Sequence, residues 1–110
     1  MGRKALIIGI DDYQTAPLHG CVNDAKEIAS LLKTNEDDSK NFDVRLELNI
    51  QKKEKLSDAI QSLFAGDDEI ALLYFSGHGT TKDDGEYLCT PDYTHNYPGV
   101  KLSDITTWIK

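Results

Sequence analysis

The sequence predicts an α/β fold with a mostly parallel sheet flanked by helices. Two continuous apolar runs, "LIIGI" (6–10) and "IALLYF" (70–75), are typical of strands buried on both faces. Two amphipathic helical patterns lie between the predicted strands, and such crossovers favour parallel pairing. The chain has 110 residues, which is enough for one small domain, predicted over 1–110.

The predicted element order is β-α-β-α-β, followed by a hairpin and a third helix. After the first strand, apolar residues recur at helical spacing from Cys21 to Leu32. The polar stretch 34–41 is typical of a loop. "FDVRLEL" (42–48) alternates apolar and polar residues, which indicates a half-exposed strand near a sheet edge. A second amphipathic helix is predicted over 56–64, before the second apolar run.

The last third of the chain is predicted to leave this sheet. "KDDGEYLCTPDY" (82–93) is expected to form a hairpin that turns at Asp84-Gly85. "LSDITTWIK" (102–110) predicts a third helix, with Ser103 or Asp104 as its N-cap. The strand expected after that helix is not among the 110 residues, so we expect an incomplete sheet.

Composition excludes several classes of protein. The net charge of -7 and the sequence pI of about 4.8 argue against a nucleic-acid or anionic-membrane partner. No apolar run is long enough for a membrane helix. Two cysteines, Cys21 and Cys89, do not make a disulfide scaffold, so a cytoplasmic location is expected. Cys89 is expected to be structural.

A histidine between two glycines follows the second apolar run, in Ser76-Gly77-His78-Gly79. Ligand sites gather at the carboxyl ends of parallel strands, and Asp11-Asp12 end the first strand at the same edge. Histidine is a natural general acid or base near neutral pH, and the unobstructed N–H of Gly79 suits an oxyanion. The structural alternative is a histidine that only caps a strand, but its position and both glycines favour catalysis.

Three segments carry a resemblance to the caspase-like cysteine peptidases, in particular to the metacaspase and bacterial caspase-domain branch: "KALIIGIDDY" (4–13), "LHGCVNDAKEIASLL" (18–32) and "YFSGHGT" (74–80). The resemblance implies a caspase–hemoglobinase-like fold and a cysteine-type endopeptidase with a Cys–His dyad. His78 matches the catalytic histidine, and Gly79 matches an oxyanion-hole donor.

The resemblance covers the histidine half of the site only. In caspases the catalytic cysteine lies about 50 residues after the histidine. Here 32 residues follow His78 (110 − 78), and the family's Asp-x-Cys segment is absent. We therefore expect the 110-residue fragment to be inactive without a Cys-bearing half, which a second chain could carry.

The resemblance also implies a substrate class. Asp24 matches the acid that lines the pocket for a basic side chain before the cut bond, and Ser76 lines the same pocket by analogy. The expected substrate is therefore a peptide or protein with Lys or Arg at that position. Cys21 matches a second, non-catalytic cysteine near the site, although its place in the apolar stripe favours a small core residue. Asp24 has a simpler alternative role as an acid near a helix start.

The expected chemistry requires no cofactor, but some metacaspases need calcium. Asp92 and Asp104 are the nearest matches to the family's calcium ligands. The family's doubled acid appears here as Ser103-Asp104, so one of its two carboxylates is missing. Because calcium takes six to eight oxygen ligands, two carboxylates provide an incomplete set.

Two alternatives to a peptidase remain open. The first is a catalytically inactive caspase-like adaptor or regulatory module, which keeps the fold without the thiol. The second is a receiver-like signalling domain, in which Asp11-Asp12 would bind magnesium. A receiver also needs an aspartate at the end of the third strand, where this sequence has Ser76-Gly77-His78.

Overall fold

A parallel three-stranded sheet forms the centre of the computed structural model, which describes residues 2–109; the two terminal residues of the predicted 1–110 domain lie outside the described part. Its strands are β1 (Arg3–Gly9), β2 (Asp43–Leu48) and β3 (Ile70–Ser76), in the order β2-β1-β3. β1 pairs in parallel with both neighbours. The predicted α/β class and parallel pairing are confirmed.

Two helices cover the two faces of this sheet, α1 (Cys21–Lys33) and α2 (Lys53–Phe64). Side chains alternate between the faces along β1, as a strand requires. Each Leu or Ile that is fully buried stabilises the fold by about 1.5–3 kcal/mol. One cluster joins Ala5 and Ile7 to Ala25 and Ala29 of α1, and the other joins Leu6 and Ile8 to Leu56 and Ile60 of α2.

The outer strands are less buried than β1. β2 lies at an edge of the sheet, as its alternating pattern predicts. β3 differs from the prediction of a fully buried strand, because its residues are half-buried and Ile70 is 42% exposed. The physical reason is that, among residues 2–109, β3 pairs with another strand on one side only.

The predicted hairpin belongs to a second, antiparallel sheet. β4 (Gly79–Lys82) and β5 (Gly85–Leu88) pair directly, and the short β6 (Val100–Lys101) pairs with β5. Lys82 lies opposite Gly85, so the turn consists of residues 83–84 and is one residue earlier than predicted. Gly85 has a φ of 133°, which favours glycine where β5 begins.

The third helix, α3 (Leu102–Trp108), begins earlier than the sequence predicts. Its N-cap is Lys101, which makes no side-chain capping bond, so the predicted cap at Ser103 or Asp104 is wrong. β6 runs directly into α3, so the pairing of β6 with β5 sets the start of the helix. Within residues 2–109, no helix has both the length and the apolar character needed to cross a bilayer.

Candidate active site

The carboxyl edge of the parallel sheet is tied to the start of α1 by the side chain of Asp11. Its two carboxylate oxygens accept the backbone N–H groups of Cys21 (2.8 Å) and Val22 (3.2 Å). The first N–H groups of a helix have no partner within it, and Asp11 satisfies two of them. The side-chain oxygen of Asn49 accepts the N–H of Asp11 (3.0 Å), so the end of β2 joins the same network. No local pattern in the sequence predicts this role of Asp11.

His78 lies at the same edge, two residues after β3 ends. Its ring is half-buried, and Nε2 lies 2.6 Å from the carbonyl oxygen of Ala16. A carbonyl oxygen can only accept, so Nε2 carries the hydrogen in this contact. In the neutral ring, Nδ1 then keeps its lone pair. The arrangement leaves one ring nitrogen that can take a proton from a reacting group and return it.

Tyr13 packs against His78 from the inside of the protein. Its hydroxyl accepts the backbone N–H of His78 (3.0 Å) and donates to the carbonyl oxygen of Cys89 (2.8 Å). The two rings meet edge to face, with centroids 4.4 Å apart. Burial raises the pKa of Tyr13 to about 12, so the hydroxyl stays protonated at neutral pH. Tyr13 ends the matched segment 4–13, but the sequence alone predicted no role for it.

The two glycines beside His78 have different roles. A Cβ at Gly77 would lie 2.6 Å from the Tyr13 hydroxyl, so any side chain there displaces the tyrosine. A Cβ at Gly79 would come no closer than 3.4 Å to a backbone oxygen. Neither glycine has a positive φ, so conformational freedom is not the reason for either one.

The N–H of Gly79 lies outside the hydrogen-bond ladder of the hairpin. Gly79 is opposite Leu88, and the N–H of Cys89 donates to the carbonyl of His78 (2.9 Å). That bond makes Gly79 and Leu88 a non-hydrogen-bonded pair, in which the amides point away from the partner strand. The Gly79 amide is therefore free of the ladder, as a donor to an oxyanion must be.

A cleft of about 320 Å³ opens beside His78. None of the described residues that line it carries a carboxylate. Cys89, which we expected to be structural, is 4% exposed and forms part of the wall. Burial raises the pKa of its thiol, with a smaller opposing effect from Lys82. The lining residues are Tyr13, Gln14, Thr15, Ala16, His78, Gly79, Thr80, Cys89, Pro91 and Tyr93.

The residues predicted for the basic-side-chain pocket, Asp24 and Ser76, do not line this cleft, and neither does Cys21, which was predicted to lie near the site. Cys21 begins α1 and lies close to Gly9, where an added Cβ would come within 2.5 Å of the Cys21 carbonyl oxygen. Gly9 is paired with Ser76, and alternation along β3 places Ser76 on the sheet face that α1 covers. Asp24 is exposed in the first turn of α1. Cys21 is half-exposed, so it is not the small core residue that its place in the stripe favours.

The residues matched to calcium ligands do not form a metal site. Asp92 accepts the Thr90 hydroxyl and the Lys53 N–H, so both of its oxygens are occupied. Asp104 is exposed on α3. Across the described residues, no group of three or more His, Cys, Asp or Glu side chains could hold a metal ion. The residues present do not fit calcium, and a calcium requirement stays a prediction.

The fold and the strand-end histidine define a caspase-like α/β domain. Residues 2–107 match the caspase domain of peptidase family C14, and the chain belongs to this family. It is similar to metacaspase-1A of Neurospora crassa, with 39% identity over 100 residues that cover 76% of this chain. The same alignment covers 21% of the fungal protein, so the chain spans about a fifth of that relative. The resemblance in the sequence is confirmed.

Proposed function

We propose that this chain is the histidine-bearing part of a cysteine endopeptidase that cuts peptide bonds after Lys or Arg. The observation that carries the proposal is the Nε2 contact of His78 with the Ala16 carbonyl, which leaves Nδ1 available beside an open cleft. A cysteine outside the 110 residues, in a longer polypeptide or on a second chain, would supply the thiol.

In the proposed reaction, Nδ1 of His78 takes the proton of the thiol, and the thiolate attacks the carbonyl carbon of the scissile bond. The N–H of Gly79 stabilises the resulting oxyanion. As the C–N bond breaks, the His78 imidazolium gives its proton to the leaving amine and a thioester remains. His78 then takes a proton from water, whose oxygen attacks the thioester. The C–S bond breaks, the acid is released, and the departing thiolate regains its proton from His78. No cofactor enters these steps.

Neither cysteine of the chain fits the role of nucleophile. Cys89 is buried in the wall of the cleft, and burial holds the pKa of its thiol above the ordinary value. A thiol in that state supplies little thiolate at neutral pH. Cys21 is at the start of α1 and does not line the cleft beside His78.

The preference for basic residues is proposed for the group formed by Asp24, Ser76 and Cys21. All three lie where α1 begins or β3 ends, on the α1 side of the sheet. The Asp24 carboxylate is exposed, so a guanidinium or ammonium group can reach it. The cleft that His78 lines offers no carboxylate among its described lining residues, and Asp24 is the acid of this group.

An inactive caspase-like module is the second candidate, favoured by the absence of a reactive thiol from the described cleft. The receiver-like alternative has no support once the family is known. The carboxylate of Asp11, which would bind magnesium in a receiver, uses both oxygens to cap α1.

The test is to express the uninterrupted reading frame that contains this segment and assay peptides ending in Arg, Lys or Asp, with and without calcium. We expect His78→Ala to lower kcat/KM by about 10²–10⁴-fold. Asp24→Asn should lower kcat/KM for basic substrates by about 10–100-fold, while Asp58→Asn, an exposed acid on α2, should not.

Full activity of His78→Ala would remove that residue from the mechanism. A preference for Asp-ended peptides would exclude the proposed role of Asp24. A reading frame without any peptidase activity would favour the inactive module. Activity that depends on calcium would show that the ligands come from residues other than Asp92 and Asp104 as they are arranged here.

A further inference from the structure

We propose that Tyr13 is a positioning residue that holds the His78 ring in its proton-transfer geometry. The inference rests on the proposed role of His78, and goes further by assigning how the histidine is fixed. Tyr13 touches His78 at two points, through its hydroxyl and through the edge of its ring. Both hydrogen bonds of its hydroxyl go to backbone groups, the N–H of His78 and the carbonyl of Cys89, so its effect on the reaction acts through the histidine.

The hydroxyl joins the two chain segments that flank the hairpin. It accepts from the N–H of His78 before β4 and donates to the carbonyl of Cys89 after β5. Tyr13 is 7% exposed, so water does not readily replace either bond. Removal of the hydroxyl leaves one donor and one acceptor without their partner in a buried place. The backbone that carries the imidazole is then held less firmly.

Tyr13 also helps to place the group that His78 Nε2 contacts. The Nε2 acceptor is the carbonyl of Ala16, which lies three residues after Tyr13 in the segment between β1 and α1. A shift of Tyr13 therefore moves the His78 backbone and the Ala16 carbonyl relative to each other. The 2.6 Å contact that leaves Nδ1 free depends on both positions.

Gly77 supports the same inference independently. An added Cβ would lie 2.6 Å from the Tyr13 hydroxyl and 2.9 Å from the Phe75 ring. A residue other than glycine would thus push the hydroxyl away from His78 without changing the tyrosine itself. The glycine before the histidine is explained by the space that this hydroxyl occupies.

The test uses the 110-residue chain labelled with ¹⁵N and follows the Nε2–H proton of His78 by NMR. In the unaltered chain, this proton should be observable at neutral pH because it is hydrogen-bonded to Ala16. In Tyr13→Phe and in Gly77→Ala, it should exchange with water at least about tenfold faster. Tyr87→Phe and Gly20→Ala are matched controls, since the Tyr87 hydroxyl bonds to Asp84 and Gly20 has open space around it.

Retention of the slow Nε2–H proton in both folded variants would overturn the inference. If Tyr13→Phe does not fold, two measurements still test the inference. One is the exchange rate of the Nε2–H proton in Gly77→Ala, and the other is the exchange rate of the His78 backbone N–H in the unaltered chain. A rapid exchange of that N–H would contradict the Tyr13 hydrogen bond. These readouts need no peptidase activity, so they separate failure of this inference from failure of the proposed function.

A peptidase assay of the longer reading frame adds a second readout. Tyr13→Phe should lower kcat with little change in KM, and should alter the pH profile governed by His78. Tyr87→Phe should leave both unchanged. An unchanged kcat and pH profile in Tyr13→Phe, in an enzyme that His78→Ala inactivates, would overturn the positioning role.

Discussion

Removal of the Asp11 carboxylate should destabilise the chain by about 2 kcal/mol. In the structure, its oxygens accept two N–H groups at the start of α1, at 2.8 and 3.2 Å. Loss of an N-cap side chain costs roughly 0.5–2 kcal/mol, and a donor left unsatisfied in a part-buried place costs about 1–3 kcal/mol. Asp11→Ala leaves both donors without this acceptor, which places the expected loss near the upper end of the capping range.

Urea unfolding followed by circular dichroism measures this loss. With a slope of about 2 kcal/mol per molar urea, a loss of about 2 kcal/mol lowers the midpoint by roughly 1 M. Asp12→Ala is the matched control, because the Asp12 carboxylate is exposed and its hydrogen bond comes from the Gln51 side chain. We expect Asp12→Ala to change stability by less than about 0.5 kcal/mol.

A midpoint for Asp11→Ala equal to that of Asp12→Ala would refute the reasoning, because it would mean that the capping bonds do not stabilise α1. Asp11→Asn gives a further check. One amide oxygen can still accept, so its stability should lie between those of the unaltered chain and Asp11→Ala. In the longer reading frame, fraying of the first turn of α1 should raise KM for basic substrates, because Asp24 lies in that turn.

Three further outcomes are expected. Gly9→Ala should lower the free energy of unfolding, measured in urea, by about 1–3 kcal/mol, because the new Cβ would lie 2.5 Å from the Cys21 carbonyl oxygen. Gly20→Ala is the control, and equal urea midpoints for the two variants would contradict the close packing at Gly9. Because burial raises the pKa of Tyr13 to about 12, the free energy of unfolding should fall as the pH rises from about 10 through 12. Absorbance of the tyrosinate form measures this titration, and a Tyr13 that titrates near 10 in the folded chain would contradict the prediction. In the folded chain, Cys89 should react with iodoacetamide at least about tenfold more slowly than Cys21, because Cys89 is buried. The two cysteines should react at similar rates in urea, and equal rates in the folded chain would contradict the burial of Cys89.

The helices and central strands were predictable because their hydrophobic periods are local. The run from Leu6 to Ile10 is buried on both faces, and the apolar positions of α2 from Leu56 to Leu63 face the sheet. The position of His78 at a ligand-binding edge followed from one further rule. The carboxyl ends of parallel strands lie at the same edge of a sheet, and ligand sites form there. Each of these inferences depends on residues that are neighbours in the chain.

The contacts that shape the site were not predictable, because their partners are distant in sequence. Tyr13 and Cys89 are 76 residues apart, and Asn49 reaches Asp11 across 38 residues. No local pattern in the chain encodes such pairs. The misplaced N-cap of α3 has the same cause, since the pairing of β6 with β5 overrides the preference of Ser103 for a cap.

The outer side of β3 has a practical consequence for work with this polypeptide. Along residues 70–76, no strand of the described part of the chain pairs with β3 on the side away from β1, and Ile70 adds an exposed apolar side chain. Such a rim is a template on which identical molecules can add to one another, although the charge of -7 opposes their approach. Dilute samples at low ionic strength should therefore remain in solution. High salt screens the repulsion between the molecules, so concentrated samples in high salt should precipitate more readily.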